Sequence, residues 1–508
     1  MPFASHPSRP VERLAVATAT GFVFGVAAHA GLRGLGLPVG AAGAVAASSA
    51  VALVAWLAVR LPRALDGFLA RRPGASVAWL LVTLIALVQT THVADSILAP
   101  DRAEAALRPR HACLTASTEA VRFWREGVDN IYRSDLYLGR VVDGFHVDPF
   151  FYSPPYLLVP IALLEVAHDD FRRARAIWFA VGALALLLSL GLCISSMDDP
   201  TRLRALALAP ALWASLPVQL GLQMSNPHAL VVGLSMTAWV LFARRPALAG
   251  PLLALASTIK LFPALFLVDL AVRRRGRAIA WTVGALVVLV AAGLAVVGTP
   301  SFRFFFEYQL PRLSSGEACA REFARPFAVA RNLSPLGLPS KLALFGIPGM
   351  TLAVGQWVAK FYAIGLLGLA LIAALRVRRV PLTPTESILR GLALLALASL
   401  SGPYAAADYS TLAVIWLICV DRRLVGPWVA GTVALLSIGP FVLAPTSPGW
   451  IHALGHAPMQ IVSVVVPVLV LLRRPPLDAA PASLGLATTM VNEGSPEIAR
   501  PAGGSARG

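Results

Sequence analysis

Apolar residues in this chain fall into long unbroken runs rather than alternating positions. Helical spans are expected at about 14–31, 40–59, 77–97, 176–196, 205–221, 227–243, 279–297, 350–374, 387–404, 409–421, 426–444 and 457–472. Most approach the roughly 20 residues that a helix needs to cross a bilayer. A helix satisfies its own backbone groups in lipid and an open sheet edge does not, while the ~10-residue alternating segments of a transmembrane barrel are missing. The expected class is therefore an all-α polytopic membrane protein, a bundle of about 11–14 transmembrane helices. Its two large outer loops are residues 98–150 and 298–349.

Two apolar pieces break the pattern. "YLLVPIALL" (156–164) is short and carries Pro160, and 248–272 is interrupted by Lys260 and Pro263. The second piece is flanked by Arg244–Arg245 and by a cluster from Arg273 to Arg277. With both clusters cytosolic, it enters and returns as two half-helices with Lys260 near the bend, and 156–164 becomes a shallow hairpin that leaves "FRRAR" (171–175) outside. The alternative lets every piece cross and puts Arg202, Arg204, Arg244 and Arg245 outside; the hairpin arrangement is preferred.

Composition strengthens the membrane reading. Hydrophobic residues make up 57% of the 508 and charged residues 14%, with mean hydropathy +0.72, against roughly 45–50% apolar residues in a soluble domain. The net charge of +17 comes from short arginine clusters between apolar runs, the positive-inside pattern, so nucleic acid is not an expected partner. Three regions are expected: an N-terminal transmembrane hairpin (1–76), a main transmembrane region (77–475) and a Pro-, Ala-, Gly- and Ser-rich disordered cytosolic tail (476–508).

Four cysteines are present. Cys193 and Cys419 lie in apolar runs and read as small core residues. Cys113 and Cys319 fall in the two outer loops, where a disulfide between them is possible in an oxidising compartment.

The motifs of soluble enzymes are missing: the sequence has no Walker A, CxxC, HExxH or GxSxG. Chemistry must come from loops and helix ends. Asp95, in "HVADSILAPD", stands where a span leaves the membrane, a rigid mount for a carboxylate whose basicity partial burial would raise; Asp101 follows in the loop. Lys260 is a cation inside an apolar segment, costing at least about 2.5–3.5 kcal/mol on insertion scales, and a lipid phosphate is its expected partner. In "GLQMSNPHAL", Gln223 and Asn226 place amides at a helix break, either satisfying loosened backbone or lining a polar cavity. No fixed ligand spacing marks a metal, which leaves a divalent ion among the loop acids open.

Several pieces then resemble a known family in order. "FYSPPYLLVPIALL" resembles the F-x-Y-x-P…P signature of the family 87 glycosyltransferases, the group of polyprenyl-phosphate-mannose-dependent mannosyltransferases. "FWREGVDNIY", "GLQMSNPHAL", "LAGPLLALASTIKLFPALFL" and "ARNLSPLG" are similar to further elements of that family, and the resemblance spans roughly residues 77 to 475. It implies a GT-C-like membrane transferase that takes a hexose, mannose above all, from a polyprenyl-phosphate donor and passes it with inversion to a glycan or glycolipid acceptor on the outer face of the cell membrane. Membrane lipids are its surroundings, and no cofactor is certain. Asp95 would be the general base, with Asp101 as its neighbour, and Lys260 a phosphate partner; Tyr152, Gln223, Asn226 and Asn332 would line the cavity. A transporter or lipid flippase is the competing class, because an intramembrane cation and broken helices suit it equally.

Overall fold

The computed structural model describes residues 11–62, 64–65, 73–99, 112–423 and 448–473. Asp101, the span expected at 426–444 and the tail 476–508 lie outside the described residues. The chain opens with three long helices, α1 (Val11–Gly34), α2 (Val39–Arg60) and α3 (Pro73–Leu98). A loop region follows with α4 (Leu114–Arg125) and a two-residue-stranded hairpin, β1 (Val141–Val142) and β2 (Phe145–His146). Its turn is Asp143–Gly144, both at positive φ (49° and 82°), the Asp-Gly chemistry that suits tight hairpins. Next come α5 (Leu158–Ala167), α6 (Phe171–Ser195), α7 (Asp199–Ala214), α8 (Leu216–Gln223), α9 (His228–Leu241), α10 (Pro246–Ile259), α11 (Phe266–Val272) and α12 (Gly276–Val297).

The second loop region carries short helices: α13 (Thr299–Phe304), a π turn at Phe305–Gln309, α14 (Leu310–Ser315), α15 (Ala320–Phe323), α16 (Pro326–Arg331) and α17 (Leu338–Ala343). The chain closes with α18 (Leu352–Val377), α19 (Pro384–Ser399), α20 (Ala407–Ser410), α21 (Leu412–Val420) and α22 (Gly449–Leu472). Among the described residues seven helices are long and apolar enough to cross a membrane: Glu12–Gly34, Val39–Arg60, Val77–Leu98, Phe171–Ser195, Gly276–Val297, Leu352–Val377 and Gly449–Leu472. The pair α7–α8, bent by 46°, makes an eighth if it counts as one span. The protein is an all-α polytopic membrane protein.

Local signals set several helix starts. Asp170 caps α6 by accepting from the amides of Arg172 (2.8 Å) and Arg173 (3.1 Å), and Thr383 caps α19 by accepting from that of Glu386 (3.2 Å). Small residues set the packing distance. Gly233 of α9 lies on the Ala185 carbonyl of α6, and Gly250 of α10 lies on Trp281 and Thr282 of α12.

Neither of the two interrupted pieces forms a full-length span among the described residues. α5 is ten residues, about 15 Å, and Glu165 near its C-terminus and Asp169 just beyond it both pair with Arg125 of α4. α10 runs from the end of α9 to Lys260, and α11 returns: Phe266 packs 4.4 Å from Trp239 of α9, whose indole donates to Ser387 near the start of α19. Lys260 therefore sits at the bend.

Gly250→Ala is expected to cost about 1–3 kcal/mol, because the added Cβ would meet Trp281 at 2.6 Å. Thermal unfolding in detergent checks this, with Gly284→Ala, whose Cβ would meet nothing within 4 Å, expected neutral or stabilising.

Candidate active site

The site is built where three interrupted stretches meet. α8 stops at Gln223, and Ser225 at φ +52° followed by Pro227 redirects the chain before α9. α10 stops at Ile259, leaving Lys260 extended (φ −141°, ψ 131°) ahead of Pro263, which cannot donate a helical hydrogen bond. The segment after Phe150 is tied to this second break by the Ser153 hydroxyl, which donates to the Thr258 carbonyl (2.6 Å).

Asn226 holds the breaks together. Its Oδ1 accepts from the His228 amide (3.0 Å) and from Lys260 Nζ (3.3 Å), and its Nδ2 donates to Cys113 Sγ (3.4 Å). The Cys113 amide donates to the Met224 carbonyl (2.7 Å), so the start of α4 is pinned to the same turn. Lys260 Nζ also lies 4.8 Å from the centroid of the Tyr409 ring, a cation–π contact. The His228 ring sits between Phe262 (5.3 Å) and Tyr409 (5.6 Å), and its buried Nε2 has no hydrogen-bond partner. Tyr152 and Tyr156, 4.7 Å apart, complete the aromatic wall beside Phe150.

Lys260 is half-buried and makes no ion pair with a carboxylate among the described residues. A half-buried ammonium with no carboxylate partner among the described residues suits an anion, and the unpartnered His228 nitrogen is a further polar group at hand. Among the described residues no three His, Cys, Asp or Glu side chains gather as metal ligands.

Of the residues singled out from sequence, Tyr152, Asn226 and Lys260 come together here. Gln223 lies at the edge, its carbonyl taken by Arg175 (2.8 Å), which also donates to Ser96 (2.7 Å) and so ties the end of α3 to the site. Asp95 is on that last turn but exposed: Val93, Ala94, Ser96 and Ile97 face the bundle, and the aspartate points away from them. The partial burial expected of it is not there.

Asn332 is not a cavity residue. It is fully buried, its Oδ1 accepts from the amides of Ser334 and Ala405 (both 2.9 Å), and its Nδ2 donates to the Pro403 carbonyl (3.5 Å). With Arg331 paired to Asp408 (Nε to Oδ1, 3.1 Å), it staples the second loop to the turn that carries Tyr409. Cys113 and Cys319 are both thiols and no bridge joins them. Burial, followed by the charge of Asp148, pushes the Cys113 thiol up to about 12.

His228 and Tyr409 were not singled out from sequence. The signal for each was a polar residue beside a helix breaker in an apolar stretch, "SNPH" and "SGPYAAADYS".

Two outcomes follow from this geometry. Asn332→Ala is expected to cost at least about 2 kcal/mol by stranding buried amides, read as a lower unfolding temperature. At pH 8 Cys113, held protonated up to about 12, is expected to alkylate with iodoacetamide on the order of 10³-fold more slowly than an exposed thiol, since only the thiolate reacts; peptide mass mapping measures it.

The model of glycosyltransferase family 87 matches residues 150–401, which include Tyr152, Gln223, Asn226, His228 and Lys260. No curated protein matches the chain.

Proposed function

The chain belongs to glycosyltransferase family 87, and from that membership we propose that it moves a hexose, mannose first among them, from a polyprenyl-phosphate carrier to a lipid-linked or polymeric acceptor. The reaction takes place at the outer face of a bacterial cell membrane and inverts the anomeric centre. The observation that carries this reading is Lys260, a half-buried ammonium without a carboxylate partner among the described residues, presented by Asn226 at the meeting of two helix breaks.

A phosphate monoanion or diester in that place would neutralise a charge that the apolar surroundings penalise. As the acceptor oxygen bonds to the anomeric carbon, the carbon–oxygen bond to the phosphate breaks and charge grows on the leaving group. Lys260 receives it, joined by His228 in the tautomer that carries its proton on Nε2, which is where preorganised donors act most strongly. Tyr152, Tyr156 and Tyr409 offer ring faces and edges to a sugar. Their desolvation keeps water from competing for the anomeric carbon.

Lys260→Met is expected to lower transfer of labelled sugar from polyprenyl-phosphate donors by about 10²-fold or more, and Lys260→Arg to keep a larger share, both measured in proteoliposomes at matched protein levels. Absence of transfer by the wild type across polyprenyl-phosphate hexose donors would remove this reading and favour a transporter.

A further inference from the structure

Gln309, in the second loop region, is a buried polar side chain that the reading above leaves unused. It is 1% exposed, and neither its Oε1 nor its Nε2 has a hydrogen-bond partner among the described residues. The other buried side-chain amides among them each spend at least one atom on the chain: Gln219 donates to the Trp213 carbonyl (2.6 Å), and Asn226 and Asn332 hold the turns described above. An amide taken out of water with both ends unpaired is a cost that folded chains rarely bear unless a ligand meets it.

The fold sets this amide beside the aromatic wall. The amide of Leu310 donates to the Phe305 carbonyl, five residues back, which makes the π turn, a geometry that recurs at functional sites. That turn brings Gln309 round over Phe305, whose ring centroid lies 5.7 Å from that of Tyr132. Tyr132 in turn lies 5.6 Å from Phe150, and its hydroxyl donates to the Tyr152 carbonyl (3.3 Å). Phe306, Glu307 and Leu310 are exposed, so Gln309 lies on the inward side of the turn, with Phe305. Arg312 fastens the turn in place, donating to the Tyr308 hydroxyl (2.8 Å) and to the hydroxyl of Ser134 (3.5 Å), two residues beyond Tyr132.

Resting on the transferase reading above, we propose that Gln309 is a specificity-determining residue whose amide binds two neighbouring hydroxyls of a hexose, Nε2 donating to one oxygen and Oε1 accepting from the other. A side-chain amide offers donors and an acceptor side by side, and a pair of adjacent hydroxyls answers both. A phosphate offers acceptors alone and would set its charge against Oε1. The anion therefore belongs at Lys260 and the neutral polyol at Gln309. The donor hexose and a sugar of the acceptor share this chemistry, and the two arms of the test separate them.

Stability distinguishes a binding amide from a structural one. Removing an unpaired polar group from the interior leaves a protein equally or more stable, so Gln309→Leu is expected to unfold in detergent at or above the wild-type temperature. In proteoliposomes of full-length protein its kcat/KM for transfer of labelled mannose from polyprenyl-phosphate mannose to octyl mannoside is expected to fall about tenfold or more. Glu307→Gln, an exposed change on the same turn, stays at the wild-type rate. Donor and acceptor are then replaced in turn by their singly deoxygenated forms. One such form is expected to lose about tenfold or more with wild type and nothing further with Gln309→Leu; a deoxygenated donor that behaves so puts the donor hexose at Gln309, and a deoxygenated acceptor puts the acceptor there. Transfer by Gln309→Leu within about twofold of wild type, losses in Gln309→Leu that add to those of every deoxygenated form, or a lowered unfolding temperature overturns the assignment and leaves the transferase reading intact. No transfer by wild type overturns both.

Discussion

Every helix that stops inside an apolar bundle leaves carbonyls and amides that lipid cannot satisfy. This fold stops many of them there, and the rest of the structure depends on how those groups are met. Three buried arginines meet the carbonyls. Arg175 of α6 serves Ser96 and Gln223, Arg204 of α7 serves Ile418 and Cys419 at the end of α21, and Arg390 of α19 serves Ala373 of α18 and Leu471 of α22. Each places a cation at the negative end of a helix, where five donors in a planar fork can serve two carbonyls.

The site follows from the same constraint at one end of the bundle. There the α8–α9 and α10–α11 breaks are joined through side chains: Asn226 supplies an acceptor to Lys260 and to the α9 amide and a donor to Cys113. The amide spends both acceptor positions and one of its two donors on these three contacts, and the ammonium it presents has donors to spare, since an ammonium carries three. Structure and function are therefore separable here: Asn226, Arg175 and Asn332 spend their polarity on the chain, and Lys260 and His228 leave theirs open.

The two loop regions are linked to this centre by different means. The first is laid on it by α4 and the hairpin, through Thr115, Cys113 and the Tyr132 hydroxyl, which donates to the Tyr152 carbonyl. The second reaches it through the Asn332 staple and the Arg331–Asp408 pair, which deliver Tyr409 to within a cation–π distance of Lys260. A buried ion pair of this type contributes more to a defined geometry than to stability, because desolvation offsets much of its attraction.

By itself the sequence determined the class, because unbroken apolar runs and arginine clusters report directly on partition into lipid. It also determined where helices break, since Pro263, Pro227 and the polar residues beside them act locally, and so it pointed to Lys260 and Asn226. What it could not determine is which broken ends meet. Exposure of Asp95 depends on which face of α3 packs on α6 and α7, a choice between residues one position apart. The structural role of Asn332 depends on residues 403–405, far along the chain. His228 and Tyr409 gain their place only when the tertiary fold packs their rings together with Tyr409 beside the ammonium, because proximity between distant segments is a property of packing and not of local pattern.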